Sequence, residues 1–282
     1  MMGPECIRWS GTAHTSTFQS DRIMRFVFRH NRDDAGFSAA NRHTPTSMAD
    51  KSPTPPRPSI WNRLLAPYHE FGGYVGTLYL CDRILQAMCP SVRVFSHAFV
   101  VQPVNANPLL PESRLSNYAF REILPGDPDI AYMPIPATAV AKRYEQGAWC
   151  LGTYLKGQFV GYIWFCTDVF EEDVVRTRYR LPPGAVFDFD LYIVPERRLG
   201  TTFAAIWHGA NQFLSERSIR YSFSRVTRFN SATQRAHARL GARTIGTAIF
   251  LRIFQVELMI SSMRPFLFLS WDQGMPPTVK FL

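Results

Sequence analysis

The stretch from Val186 to Ala242 limits most strongly what this chain can fold into, because it reads strand, basic turn, helix, strand, helix. In FDFDLYIVP, Phe187, Phe189, Leu191 and Ile193 alternate with Asp188, Asp190 and Tyr192, the period-two pattern of a strand with one apolar face, and Pro195 ends it. Strict alternation predicts Asp188, Asp190 and Tyr192 on one shared face. The turn ERRLGTTF follows. Phe203, Ile206, Trp207, Ala210, Phe213 and Leu214 then make one helical stripe, which must lie on a sheet; Trp207 and His208 read as packing residues. YSFSRVTRF reads as a second strand. After Asn230 comes a shorter helix, capped by Ser231-x-x-Gln234 and closed by Leu240-Gly241-Ala242, with Gly241 suited to the left-handed position past a helix end.

The turns of this unit carry its chemistry. Unpaired N–H groups at the start of the first helix meet the charges of Arg197 and Arg198, an arrangement that suits a pyrophosphate. A second polar turn, Arg228-Phe229-Asn230-Ser231, falls at the same end of the next strand, where ligands of open α/β units collect. Between Arg176 and Arg243 there are 12 arginines, no lysines and 4 acids, so nearly all of the chain's formal charge of +9 lies here. Guanidinium forks bind phosphate bidentately; an arginine-rich solvated surface has the same composition.

At these residues the chain resembles the GNAT superfamily of N-acetyltransferases. DLYIVP corresponds to that family's strand ending near a proline, and Arg197-Arg198-Leu199-Gly200-Thr201-Thr202 to its phosphate turn, Arg/Gln-x-x-Gly-x-Gly/Ala. Counted from Arg197, Gly200 falls at the first glycine and Thr202 where glycine or alanine is usual; counted from Arg198, Leu199 and Thr201 fall at glycine positions. Both registers stay open. Asn230, Thr233, His237, Gly241 and Ala242 follow the family's Asn-x-x-Ala/Ser-x-x-x-Tyr-x-x-x-Gly-Phe spacing.

The resemblance spans about residues 92–262 and implies an α/β fold with a single mixed, mostly antiparallel sheet flanked by helices. It implies acetyl-CoA as co-substrate, no metal, and transfer of an acetyl or longer acyl group to an amine of a small molecule or protein by direct attack. Backbone N–H groups of Tyr192, Ile193 and Val194 would hold the thioester carbonyl. Arg197, Arg198, Leu199, Gly200, Thr201, Thr202, Asn230 and Thr233 would line the cofactor, although Asn230 also suits a helix cap and Ser224 either pantetheine or the core. His237 stands where the family often has a tyrosine and is the candidate acid for the departing thiolate. Asp188 and Asp190 are candidates to take the amine's proton; charge pairs with nearby arginines are their other use. A non-catalytic relative that senses CoA or binds a protein is the second class.

The remaining sequence sets the frame. Apolar residues make up 46% of 282, ample for a core. Residues 1–58, ending in Ser-Pro-Thr-Pro-Pro-Arg-Pro, read as a mobile, disordered extension, and 59–91 as a helical segment that stops at Pro90. There Tyr74, Leu78, Cys81, Leu85 and Met88 are expected to form the packing face. Val92–Val104 reads as the first strand and 105–134 as an irregular segment, which by resemblance shapes the acceptor pocket. A helix over 136–145, a hairpin of Trp149–Leu155 and Phe159–Cys166, strands at Thr244–Ile253 and Gln255–Ser261, and a tail over 263–282 complete the reading. Cys6, Cys81, Cys89, Cys150 and Cys166 form no Cys-x-x-Cys pair, which argues against a metal and fits a reducing cytoplasm. No apolar run reaches the roughly 18 residues of a membrane span, and no nucleic-acid recognition module is visible.

Overall fold

The computed structural model describes residues 60–105, 107–198, 200–271 and 275–281, without the side chains of 60–64. The extension expected over 1–58, and Leu199 of the phosphate turn, lie outside the described residues. Two helices come first, α1 (Ile60–Phe71) and α2 (Gly73–Met88). Then follow β1 (Val92–Pro103), a short α3 (Glu112–Leu115), β2 (Tyr118–Ile123), α4 (Ala137–Glu145) and the hairpin β3 (Trp149–Leu155) and β4 (Gln158–Cys166). Short β5 (Val169–Glu171) and β6 (Arg178–Arg180) lead into β7 (Ala185–Ile193), α5 (Thr202–Glu216), β8 (Tyr221–Thr227) and α6 (Ser231–Arg239). The chain continues through β9 (Arg243–Ile253), β10 (Val256–Ser261), β11 (Leu267–Ser270) and β12 (Thr278–Lys280).

Nine strands form one sheet in the order β11-β10-β9-β1-β8-β7-β4-β3-β2, while β12-β6-β5 form a small second sheet. Among the described residues, β7 and β8 are the one parallel pair of the large sheet. The expected mixed, mostly antiparallel architecture is therefore present. The first strand in chain order, β1, lies between β8 and β9, antiparallel to both. On one face of the sheet Tyr162, Trp164, Phe187 and Phe250 pack with Tyr179 and Phe281 of the small sheet. On the other, Ile163, Phe165 and Val186 pack under Ile206, Trp207, Ala210 and Leu214 of α5, the predicted stripe. Within 263–282 the described residues supply β11 and β12 and bury Phe281 against Phe99, Phe187 and Phe223.

The stripe expected to seat the second helix is only half-buried at Leu78 and Leu85 and exposed at Cys81, Tyr74 and Met88, the last two by 62% and 80%. The helix docks instead through Val75, Gly76 and Asp82. The reason is polar. β1 runs past the end of β8, whose last rung is His97↔Thr227, and Asp82 Oδ1 accepts a hydrogen bond from the Val94 N–H (2.8 Å) and one from Arg93 Nε (3.3 Å). Satisfying a buried strand N–H outweighs the orientation that apolar spacing alone would choose.

Between β4 and β7 the register shifts from Tyr162↔Tyr192 to Trp164↔Phe189, so Asp190 and Leu191 together oppose Ile163, and Asp190 takes φ 47°. This is a β-bulge. Beside it the two backbones touch: a Cβ on Gly161 would lie 2.3 Å from the Tyr192 carbonyl oxygen and 3.0 Å from Ile206 Cδ1. Gly161→Ala should therefore cost about 3 kcal/mol, because backbone rather than a side-chain tip must move. A urea melt superimposing on wild type would contradict that close approach.

Candidate active site

The site is built where β7 and β8 part. They pair from Ala185↔Tyr221 to Asp188↔Ser224, and beyond that rung β7 continues to Ile193 without β8. Val194 N–H donates to the Val160 carbonyl (3.0 Å), so β7 spends the amides of Val194 and, by ladder alternation, Tyr192 on β4. Of the three amides expected to hold a carbonyl, Ile193 is thus the one that faces the gap. Its own C=O accepts from Arg198 Nε (3.1 Å), which folds this arginine back along the gap wall, over the Tyr192 ring.

Pro195–Arg197 form a 3-10 turn in which Arg197 N–H bonds to the Val194 carbonyl and Arg198 N–H to that of Pro195. The first bond of α5 is Ala205 N–H to the Thr201 carbonyl, so the amides from Thr201 to Ala204 have no partner within the helix. Among the described residues, the turn's donors without a backbone partner therefore begin after both arginines. Gly200 is exposed, and a Cβ there would meet nothing within 4 Å, so the fold itself does not require glycine. Thr202 is buried, and its hydroxyl and that of Thr201 lie 3.2 and 3.4 Å from the Tyr118 hydroxyl of β2.

The expectation that Asp188, Asp190 and Tyr192 share a face is overturned by the bulge, which inserts one residue into the alternation. Asp188 points to the α5 side, buried, with Ser222 Oγ donating to its Oδ2 (2.6 Å). Burial pushes its carboxyl up to about 7, partly opposed by the hydrogen bonds from Ser222 and Ser224. Asp190 points to the opposite face, where its Oδ2 accepts from Arg143 Nη1 (2.5 Å) and the Tyr162 hydroxyl (3.0 Å). Arg143 is itself packed between Trp164 and Phe189. Tyr192 remains on that face, stacked on Tyr162.

His237 is buried between Phe203 and Trp207 of α5, with Nδ1 3.4 Å from Gln102 Oε1. Burial lowers its pKa to about 4, so the ring is neutral near pH 7. A base whose pKa is lower in the folded chain than in the unfolded one contributes stability that is complete above the unfolded value and lost as pH falls. Between pH 6.5 and 4 wild type should lose about 3 kcal/mol relative to His237→Gln. Parallel pH–stability curves for the two proteins would show that His237 protonates freely where it sits.

Asn230, and not Ser231, caps α6: its Oδ1 accepts from Thr233 N–H (3.0 Å). Ser231 Oγ donates to Glu70 of α1, and Gln234 Nε2 to the Arg228 carbonyl (3.2 Å). Part of the arginine excess is consumed locally, since Arg178, Arg217 and Arg225 bond to Glu171, Glu122 and Glu172, and Arg176 to the Gln255 carbonyl. Arg197 remains exposed at the turn after β7, and Arg228 and Arg235 line a recess of about 220 Å³ beside α1. Among the described residues no three His, Cys, Asp or Glu side chains group as metal ligands, and no helix is long and apolar enough to cross a membrane.

Sequence reasoning missed Tyr118, Arg143 and Tyr162. The first two come to the site by strand pairing and helix docking from distant positions, for which the local sequence holds no sign. Tyr162 sits in a recognisable strand, and a buried tyrosine there calls for a partner such as Asp190.

No protein-family model matches the chain, and no curated protein does. Among solved structures the chain is similar to a tandem GNAT protein from the clavulanic acid biosynthesis pathway, at 15% identity and TM-score 0.41, over 61% of this chain and 57% of that one. It is similar to a GCN5-related N-acetyltransferase from Sphaerobacter thermophilus at 14% identity and TM-score 0.40, over 61% and 55%. A functionally unknown conserved protein from Staphylococcus epidermidis is similar at 12% identity and TM-score 0.41, over 60% and 67%. The chain thus spans little more than half the length of the first two. In this chain a parallel strand pair opens beyond Asp188, and a helix rises from the turn that follows it.

Proposed function

We propose that the chain is an acyl-CoA-dependent N-acyltransferase that moves acetyl from acetyl-CoA to a primary amine by direct attack. The observation that carries this reading is the parting of β7 from β8 after Asp188↔Ser224, beside the unpartnered amides at the start of α5. The pyrophosphate rests on the amides from Gly200 to Ala204, with Arg197 and Arg198 at its side and the pantetheine arm running into the gap. The thioester carbonyl accepts from Ile193 N–H.

The bulge gives the two carboxylates separate tasks, one on each face of the sheet. The amine approaches from the Asp190 face, where Arg143 and Tyr162 fix the carboxylate. Its nitrogen attacks the carbonyl carbon and the surplus ammonium proton passes to Asp190, directly or through water. The C–S bond then breaks, and the thiolate takes a proton from Asp188 on the α5 face. Asp188 replaces His237 in this role because a carboxyl near pKa 7 is half protonated at neutral pH, whereas an imidazole near pKa 4 is almost wholly neutral.

The acceptor is a small-molecule or protein amine, and the co-substrate requires no metal. Assay of free CoA thiol against a panel of amines tests the reading: one CoA should appear per amide formed. Acetyl-CoA binding without turnover on any amine would favour the second reading, a CoA-sensing module, which the burial of His237 and the pairing of Asp190 with Arg143 also suit.

A further inference from the structure

One end of the large sheet has an apolar outer face that the described chain leaves partly exposed, with Ile249, Leu251 and Leu258 half-buried and the residues around them open. On β9, β10 and β11 the inward side chains, Ala248, Phe250, Met259 and Phe268 among them, pack into the core. The alternate positions face outward: Ile249, Leu251 and Ile253 on β9, Val256, Leu258 and Ile260 on β10, Leu267 and Leu269 on β11, then Trp271. The strand register aligns them in rows, Ile249↔Ile260↔Leu267, Leu251↔Leu258↔Leu269 and Ile253↔Val256. An antiparallel sheet with one solvated face ordinarily alternates apolar with polar residues. Here all of these nine outward residues are apolar. The charged residues of this region, Arg252 and Glu257, pair with each other on the inner face.

Six of the nine expose 40–70% of their surface, which at roughly 150–250 Å² per large side chain comes to about 500–800 Å². That lies at or above the roughly 300–600 Å² of the largest apolar patch on a typical monomer and approaches the ~800 Å² per partner of a standard protein interface. The face carries no charge to select a nucleic acid, an anionic membrane or a charged peptide. A two-fold axis along its middle row would set the leucine row against its own copy, the self-complementarity that an isologous dimer needs. Among the described residues β11 is the last strand of the sheet at this end, so the patch continues to a rim that a second copy would shield.

We propose that two copies of this chain associate through the β9–β10–β11 face, sheet against sheet, with Leu251, Leu258 and Leu269 at the centre. The splayed β7–β8 pair, four and three strands from β10, stays open in such a dimer.

Sedimentation velocity on the full chain, wild type against Leu258→Glu and Leu269→Lys, tests this. Wild type should sediment at twice the monomer mass, and each variant at the monomer mass with an unchanged near-ultraviolet circular dichroism spectrum. The melting temperature of wild type should rise with protein concentration and that of the variants should not. Should a variant fail to fold, Val256→Thr and Ile260→Thr on the rim serve as milder replacements and should weaken the dimer severalfold. A monomeric wild type at all concentrations, whether bare or covered by other parts of its own chain, overturns the proposal, as does a dimer that persists in folded Leu258→Glu.

Discussion

Asp188→Asn should lower kcat by about 10²-fold or more while leaving acetyl-CoA affinity nearly unchanged. Asparagine matches aspartate in size and keeps an oxygen to accept from Ser222 Oγ, so the rung where β7 and β8 part is preserved. What it removes is the proton that the proposed mechanism delivers to the thiolate. The wild-type rate should fall as pH rises through about 7, where the carboxyl ionises, and the variant should lose that limb of the profile.

Stability should move the other way. A carboxyl whose pKa is raised from its ordinary value of 3.8 to about 7 by folding holds its proton more tightly in the folded chain. Its contribution to stability is therefore largest below the unfolded value, shrinks between pH 4 and 7, and above 7 settles about 4 kcal/mol lower. Asparagine, which cannot ionise, escapes that loss. Asp188→Asn should melt higher than wild type at pH 8 and close to it at pH 4. A slower yet more stable enzyme is the pattern expected of a group kept for chemistry at a cost in stability. A variant slower and also less stable at pH 8 would make Asp188 a structural carboxylate.

The strand-turn-helix-strand-helix unit was legible because each of its parts rests on local rules: alternation in β7, one stripe on α5 and a polar turn between them. The features that decide its chemistry were not. Whether Asp188 and Asp190 share a face depends on one extra residue opposite Ile163, a property of the pairing with β4 that the β7 sequence alone does not contain. β1 could be recognised as a strand, but its place between β8 and β9 depends on contacts about 125 to 150 residues away in sequence. The second helix was misoriented because spacing counts only apolar residues, and Asp82 chose the docked face through the Val94 N–H. His237 matched a motif position, yet the rings of Phe203 and Trp207 that bury it come from another helix.

The central claim, a pyrophosphate on the amides at the start of α5, is tested most directly by calorimetric titration of acetyl-CoA into wild type and Gly200→Asp. Position 200 is exposed, has open space for a side chain and lies outside the left-handed region, so aspartate should leave the melting temperature unchanged. Its carboxylate would stand where the phosphates bind, and a like charge at such close range should weaken binding by about 10²-fold. Saturable binding to wild type that is lost in a fully folded Gly200→Asp is the result this account predicts. Equal affinity in the two proteins, or no binding to either, would contradict it.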